Sequence, residues 1–170
     1  MDLILYGFGG FGYIVAEIAI ENGYQTIGVF DDIEPTKMEI KNGKIIYLGK
    51  YNPNIYVNTP LVITIGNNQS RLKISSEIKH QFTSIIHKTA IISPNSIIEL
   101  GCIIMPNVVI HANTIVKKHN IINTSVIIDH DNIIEEFIHI RPHSYIGSNT
   151  YITSLSIIPP NTYIERFSKI

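Results

Sequence analysis

The second half of the chain repeats every six residues. From Ile92 to Ile164, each sixth residue is isoleucine or valine, and the series has no break. A helix repeats every 3.6 residues and an ordinary strand every 2, so neither produces this period. A six-residue repeat is typical of a parallel β-solenoid, in which short strands stack from one coil to the next. We therefore predict a β-helix with three hexads per coil and these aliphatic side chains facing inward.

A second series of residues fits the same coil. Two positions before each inward aliphatic lies a small or short residue, with Ile138 as the bulky exception. These residues are Ser96, Cys102, Val108, Thr114, Asn120, Val126, Asn132, Ser144, Thr150, Ser156 and Thr162. Asparagine recurs at the predicted corners, as at Asn95, Asn107 and Asn113. Asparagine tolerates the left-handed backbone conformation better than most residues, so we expect that conformation at the corners.

Residues 1–86 have a different pattern, in which buried-type strands alternate with segments capable of forming helices. The predicted strands cover 3–6, 26–30, 45–48, 61–65 and 84–86, and the predicted helices cover 13–21 and 69–82. Such alternation favours a small parallel α/β sheet. The hexads begin near His87, so we predict two domains, residues 1–86 and 87–170.

Composition and charge exclude several classes of function. The formal net charge is −1 and the basic residues are scattered, which argues against a nucleic-acid-binding face. The single cysteine, Cys102, permits no intrachain disulfide, and no zinc-binding spacing is present. No apolar run approaches the ~20 residues of a membrane span, and the N-terminus lacks the features of a signal peptide. We expect a cytoplasmic protein with no membrane partner.

A glycine-rich loop follows the first predicted strand. Closely spaced glycines between a strand and a helix let the backbone approach a phosphate, which the helix N-terminus attracts. An acidic pair lies about 20 residues further on, where an NAD site places its ribose-binding acid, so this loop alone leaves NAD open. A third candidate segment is the turn at Gly66 and Asn67. It follows the predicted strand 61–65, at the carboxyl edge of the sheet, where such sheets bind ligands. The candidate binding residues are Gly7, Gly9, Gly10, Gly12, Asp31, Asp32, Gly66 and Asn67.

His130 is the candidate catalytic base. Imidazole titrates near neutral pH, so it can accept a proton from an attacking amine. Asp129 and Asp131 flank it, and a carboxylate bonded to one ring nitrogen would orient the imidazole. A solvated turn is the alternative interpretation of these three residues. Because no further ligand is placed by the sequence, we predict no metal site.

Four stretches together resemble the PglD/NeuD-type sugar acetyltransferases, a family of hexapeptide-repeat acyltransferases. This resemblance covers nearly the whole chain. The matching stretches are 5–12, 30–32, 65–68 with Arg71, and 128–131 followed by 137–139. The family N-acetylates nucleotide-linked amino sugars or O-acetylates sialic acid.

The resemblance implies a fold and a set of roles. It implies that residues 1–86 are a Rossmann-like domain that binds a nucleotide-sugar, and that residues 87–170 are a left-handed β-helix. It also implies acetyl-CoA as the donor and a homotrimer with active sites between neighbouring prisms. By the same resemblance, His130 is the base, Asp131 orients it, and His139 and Gly147 bind acetyl-CoA.

The chain departs from the family after His139. The family has a glycine-rich series there, whereas this chain keeps only Gly147 and has His143 and Ser148 at positions where glycines are expected. Its hexads also end about a coil earlier. Three functions therefore stand as hypotheses. The first is N-acetylation of a nucleotide-linked 4-amino-6-deoxy sugar for surface glycans, the second is O-acetylation of sialic acid, and the third is nucleotide-sugar binding without transferase activity.

Overall fold

The computed structural model describes all 170 residues and divides them into two compact units, residues 1–85 and 86–170. The first unit contains the strands β1 (Leu3–Tyr6), β2 (Thr26–Phe30), β3 (Lys44–Tyr47) and β4 (Leu61–Ile63), with the helices α1 (Gly10–Glu21) and α2 (Asn68–Glu77). Its four strands form a parallel sheet in the order β3-β2-β1-β4. Neither helix is long and apolar enough to cross a membrane.

The parallel α/β sheet is present, but the full alternation expected of a Rossmann-like domain is not evident. No helix separates β2 from β3 or β3 from β4. The two connecting segments contain Pro35, Pro53 and Pro60. Proline lacks the backbone N–H that a helix interior needs, which is one reason why these segments remain irregular.

Both helices differ from their predicted bounds. The first begins at Gly10, inside the glycine-rich loop, so Gly12 is a helical residue. Its apolar side chains are only partly buried, because Ile14 faces solvent while Val15, Ile18 and Ala19 are buried. The second helix ends at Glu77, because the backbone turns to an extended conformation at Ile78.

The second unit is the predicted β-helix, a parallel solenoid of the left-handed type. Its strands are two residues long, and equivalent strands pair 18 residues apart, as Ile115 does with Ile133. The strands are β5 (Ile85–Ile86), β6 (Ile91–Ile92), β7 (Ile97–Ile98), β8 (Ile103–Ile104), β9 (Val109–Ile110), β10 (Ile115–Val116), β11 (Ile121–Ile122), β12 (Ile127–Ile128), β13 (Ile133–Ile134), β14 (His139–Ile140), β15 (Tyr145–Ile146), β16 (Tyr151–Ile152), β17 (Ile157–Ile158) and β18 (Tyr163–Ile164). They form three sheets, β16-β13-β10-β7, β17-β14-β11-β8-β5 and β18-β15-β12-β9-β6.

The core and corners of the solenoid follow the repeat. The inward aliphatics form one buried cluster, and the small residues two positions earlier are buried with them through the central coils. The buried asparagines are satisfied, since the Nδ2 of Asn120 donates to the carbonyls of Lys117 and Glu135. Left-handed φ angles recur every six residues from Gly101 to Phe167. This series includes Asn107 and Asn113 but not Asn95, and several corners are occupied by residues other than asparagine.

Candidate active site

His130 lies on a corner of the β-helix, between β12 and β13. The backbone of this corner is held by buried polar side chains. The carbonyl of Asp129 accepts hydrogen bonds from Nδ2 of Asn132 at 2.7 Å and from the hydroxyl of Thr114 at 2.8 Å. Both donors are fully buried. The carbonyl of His130 accepts a further bond from the N–H of Asn149 at 3.2 Å. The main chain that carries His130 is therefore fixed from the core side.

The imidazole of His130 is paired with Asp131. Nδ1 of His130 lies 2.6 Å from Oδ2 of Asp131, and the other carboxylate oxygen accepts a hydrogen bond from Nδ2 of Asn113 at 3.0 Å. The bond to Asp131 raises the pKa of His130 above its ordinary value. The same bond, aided by Asn113, lowers the pKa of Asp131. In its neutral form the imidazole therefore keeps its proton on Nδ1 and presents the lone pair of Nε2.

Asp129 accepts hydrogen bonds from groups other than the imidazole of His130, which is bonded to Asp131. Its Oδ1 accepts the backbone N–H of His130 at 2.8 Å, and its Oδ2 accepts the hydroxyl of Tyr145 at 3.0 Å. Nδ1 of His111 lies 3.9 Å from Oδ1. Burial acts to raise the pKa of Asp129, but the two hydrogen bonds outweigh it and the pKa is lowered. Asp129 therefore remains an anion beside the base.

A cavity of about 330 Å³ opens beside His130. Tyrosine rings, a small-residue pair and a charged pair form its walls. The lining residues are Asp129, His130, Tyr145, Gly147, Ser148, Tyr163, Glu165 and Arg166. Gly147, predicted to bind acetyl-CoA, thus shares a cavity with the candidate base. Its lack of a side chain also has a packing reason, because a Cβ there would lie 2.6 Å from the backbone nitrogen of Arg166.

His139, the second residue predicted to bind acetyl-CoA, lies on a different sheet of the solenoid. It begins β14, whereas His130 follows β12, and the two strands belong to separate sheets. Its Nε2 is 3.3 Å from Nδ2 of Asn123. Within one chain, the structure places His139 on another face from the cavity of His130.

The glycines of the N-terminal loop serve two purposes. Gly7 has a φ of +95°, and a Cβ on Gly12 would lie 2.5 Å from the carbonyl oxygen of Gly7. These two glycines are required by the packing of the strand–helix junction. Beyond the adjoining backbone, a Cβ on Gly9 or Gly10 would have no heavy atom within 4 Å. Their missing side chains therefore leave open space at the start of α1, where a ligand can approach the backbone.

The two acidic residues after β2 are placed differently. Asp31 accepts the backbone N–H of Phe8 at 2.7 Å through Oδ2 and that of Ile33 at 3.1 Å through Oδ1. It ties the glycine loop to the end of β2 and lines a cavity of about 310 Å³ together with Gly9. Asp32 is exposed to solvent.

The third predicted turn, Gly66-Asn67, is held by hydrogen bonds within the protein. Oδ1 of Asn67 caps α2 by accepting the N–H of Ser70 at 2.9 Å. The guanidinium of the fully buried Arg71 donates to the carbonyl of Ile65 at 2.9 Å and to Oδ1 of Asn68 at 2.8 Å. A buried arginine therefore holds the shape of this turn.

The structure brings some predicted residues together and adds others. His130, Asp131 and Gly147 lie around one corner, and Gly9 and Asp31 line one cavity. The prediction from sequence did not include Asn113 or Tyr145. Asn113 lies 18 residues before Asp131, one full coil away, so the repeat itself carried the signal that could have found it. No group of three or more His, Cys, Asp or Glu side chains is arranged to hold a metal ion.

Comparisons with known proteins agree with the family indicated by the motifs. Residues 2–78 match the PglD N-terminal domain family. The chain is similar to the acetyltransferase domain of PglB from Neisseria gonorrhoeae FA1090, solved in complex with acetyl coenzyme A. The identity is 26% over 99% of this chain and 86% of that one, with a TM-score of 0.70.

Two further solved structures share the fold. A mutant of GDP-perosamine N-acetyl transferase from Caulobacter crescentus, in complex with CoA and GDP-perosamine, is 21% identical over 99% of this chain and 85% of its own, with a TM-score of 0.81. WeeI from Acinetobacter baumannii AYE is 18% identical over 100% of this chain and 91% of its own, with a TM-score of 0.68. Together with the family match, these likenesses confirm the predicted resemblance.

Proposed function

We propose that this chain, which resembles the PglD-type hexapeptide-repeat sugar acetyltransferases, transfers an acetyl group from acetyl-CoA to a nucleotide-linked amino sugar. The observation that carries the proposal is His130, which lines the 330 Å³ cavity and is paired through Nδ1 with Asp131. Asp131 engages Nδ1, so the basic Nε2 is left for the acceptor. The PglB domain, bound to acetyl coenzyme A, supports the choice of donor.

The chemistry needs one base and one mobile proton. The lone pair of the acceptor nitrogen attacks the thioester carbonyl carbon, and the carbon–sulfur bond breaks. Nε2 of His130 takes the proton that the nitrogen loses and returns it to the sulfur of CoA. Asp131 holds the imidazole and stabilises the imidazolium that forms in between. His130 is thus the catalytic base and Asp131 its orienting residue.

The N-terminal unit is proposed to hold the nucleotide of the acceptor as a reduced Rossmann-like domain. Gly7, Gly9, Gly10 and Gly12 surround the N-terminus of α1, where backbone N–H groups favour a phosphate. Gly9 and Gly10 offer open backbone, while Asp31 shapes the loop. Asp32, Gly66 and Asn67 remain candidate contacts. His139 and Gly147 are the proposed contacts of acetyl-CoA.

The proposed acceptor atom is the amino nitrogen of a 4-amino-6-deoxy sugar used for surface glycans. The Caulobacter crescentus protein of the same fold is an N-acetyl transferase solved with GDP-perosamine, which supports an amino sugar as substrate. Asp129 adds support from this chain, because an anion in the cavity stabilises the positive charge that develops on an amino nitrogen as its lone pair attacks.

The proposal is tested by measuring CoA release with acetyl-CoA and a panel of UDP- and GDP-linked amino sugars, with sialic acid included. We expect turnover with an amino sugar, and a loss of roughly 100-fold or more in kcat for His130→Asn. The matched control is His143→Asn, since His143 is an exposed corner histidine with a similar left-handed φ of 60°. That variant should keep wild-type activity.

Other outcomes would replace the proposal. Turnover with sialic acid alone would assign O-acetylation. Binding of a nucleotide-sugar without binding of acetyl-CoA would mean that the chain is a nucleotide-sugar-binding protein without transferase activity. Full activity in His130→Asn would mean that His130 is not the base.

A further inference from the structure

Tyr145 donates a hydrogen bond to Asp129, the carboxylate next to the base. Its hydroxyl donates to Oδ2 of Asp129 at 3.0 Å, and Oδ1 of the same carboxylate accepts the N–H of His130 at 2.8 Å. Asp129 therefore connects the tyrosine to the main chain of the base. The connection crosses coils, because Tyr145 starts β15 and Asp129 follows β12, the strand beneath it.

The ring of Tyr145 is itself held in place. It stacks on Tyr163 of the next coil with ring centroids 5.3 Å apart and planes 6° from parallel. A parallel stack between neighbouring strands leaves the ring little freedom to tilt, so the height of the hydroxyl above the sheet is set by β15 and β18. The donor to Asp129 is thus pre-organised.

The imidazole of His130 depends on hydrogen bonds for its orientation, because the surrounding side chains do not enclose it. The side chain of His130 is 50% exposed and that of Asp131 is 42% exposed. A half-exposed imidazole keeps its direction through hydrogen bonds. Asp131 holds the ring, and Asp129 holds the backbone from which the ring projects. If Oδ2 of Asp129 lost its donor, the carboxylate could turn toward the imidazole and compete with Asp131 for Nδ1.

We propose that Tyr145 is a positioning residue, which acts through Asp129 to keep the imidazole of His130 paired with Asp131 and directed at the acceptor. The inference rests on the proposed function, and it adds a residue to that mechanism. Tyr145 does not take part in the proton transfer. Its hydroxyl bonds to the carboxylate of Asp129, so that Asp131 alone orients the imidazole of His130.

The test compares two tyrosine-to-phenylalanine variants. Tyr145→Phe removes the donor to Asp129 and keeps the ring stack. Tyr151→Phe is the matched control, because its hydroxyl donates at 2.8 Å to Glu135, also 16 residues earlier, but on another sheet of the solenoid. Each variant loses one tyrosine–carboxylate bond of the same kind. A merely structural role predicts equal effects.

We expect Tyr145→Phe to lower kcat on the order of 10-fold with KM for the acceptor little changed, since a misdirected base slows the chemical step. Tyr151→Phe should keep the wild-type kcat. Thermal melting checks that both variants are folded. Wild-type kcat in Tyr145→Phe, or equal losses in the two variants, would overturn the proposal.

A second readout does not depend on activity, so it separates this inference from the proposed function. The pKa of Asp131 is measured by NMR titration of its carboxyl carbon in wild type and both variants. Its lowering in the wild type comes first from the hydrogen bond with His130. We expect this pKa to rise in Tyr145→Phe, because Asp129 then takes the imidazole from Asp131 part of the time, and to stay unchanged in Tyr151→Phe.

The other ionisable groups around the base are the same in all three proteins. They are Asp129, Asp131, His111, Glu165, Arg166 and Tyr163. An unchanged or lower pKa of Asp131 in Tyr145→Phe would overturn the positioning role even if no acetyl transfer is found. Absence of acetyl transfer in the wild type, with the expected change in pKa, would overturn only the proposed function.

Discussion

At the scale of single residues, His130 owes its chemistry to hydrogen bonds and charge, because its side chain is half exposed. Its pKa is raised first by the bond to Asp131, then lowered in part by burial, and raised further by the charges of Asp129 and Asp131. Only the neutral imidazole can accept a proton, so the active fraction grows as the pH rises through this elevated pKa. Removing the charge of Asp131 should move that transition to lower pH.

Asp131→Asn is therefore expected to have two effects. The acid limb of the profile of kcat/KM against pH should shift to lower pH, and kcat should fall roughly 10-fold to 100-fold because the amide no longer fixes the tautomer. Steady-state kinetics over a range of pH measures both. A limb that stays in place, or moves to higher pH, would contradict the pairing seen at 2.6 Å.

The sequence predicted His130 as the base and placed Asp129 and Asp131 beside it, but it did not show which aspartate pairs with the imidazole. Asp129 and Asp131 are symmetric about the histidine along the chain, and resemblance alone favoured Asp131. The structure separates them through the corner geometry. Asp131 has a left-handed φ of 59°, which turns its carboxylate to the ring, while Asp129 faces Tyr145. Contacts across coils of this kind follow from backbone conformation and are not visible in local spacing.

At the scale of elements, each coil is fitted to the next through the backbone. Gly147→Ala tests this fit, because its Cβ would lie 2.6 Å from the nitrogen of Arg166 and 2.9 Å from the carbonyl oxygen of Ile164. Backbone atoms of a paired strand cannot yield as a flexible side chain can. We expect the free energy of unfolding to fall by about 1–3 kcal/mol, as in overpacked cores.

Chemical denaturation measures the effect of Gly147→Ala. Gly66→Ala is the control, since nothing lies within 4 Å of its built Cβ and its φ is not left-handed. That substitution should change stability by only a few tenths of a kcal/mol. Equal stability of Gly147→Ala and wild type would mean that the last coil moves freely to accommodate a methyl group.

The elements also show where sequence patterns succeed and fail. The hexads predicted the β-helix because each strand repeats one local pattern. The sequence pattern predicted that α2 extends to residue 82, whereas the helix ends five residues earlier, at Glu77. The backbone N–H of Lys79 is taken by the hydroxyl of Tyr51 at 2.7 Å, and His80 is buried against the same ring. Tyr51 lies 28 residues earlier in the chain, so no window around the helix contains the cause.

At the scale of the whole molecule, all three sheets of the solenoid carry exposed apolar side chains, and those of one sheet lie next to the candidate active site. Ile91, Ile127 and Tyr163 of the sheet β18-β15-β12-β9-β6 are all exposed. Large exposed apolar rows on a protein surface mark association sites. Together with the trimer that the resemblance implies, this favours packing of copies of the chain through this sheet.

We expect light scattering to give three times the 19.1 kDa chain mass for the wild type. Ile127→Lys, which places a charge in the exposed row, should shift the mass toward that of the monomer. Ile157→Lys is the control, because Ile157 is 50% exposed but belongs to a different sheet. A monomeric wild type, or dissociation only in the control, would rule out this interface.

The spacing of 18 residues between stacked partners also governs which changes of chain length the solenoid can absorb. An insertion of one whole coil leaves every later residue on the same face, above an equivalent strand. An insertion of a single hexad between Asp129 and Tyr145 preserves the inward aliphatics but rotates everything after it by one face. Such a chain would still fold as a β-helix, yet Tyr145 would no longer lie on the same sheet as Asp129. The inward aliphatics therefore tolerate insertions of any whole hexad, whereas keeping each outward side chain on its sheet requires insertions of 18 residues.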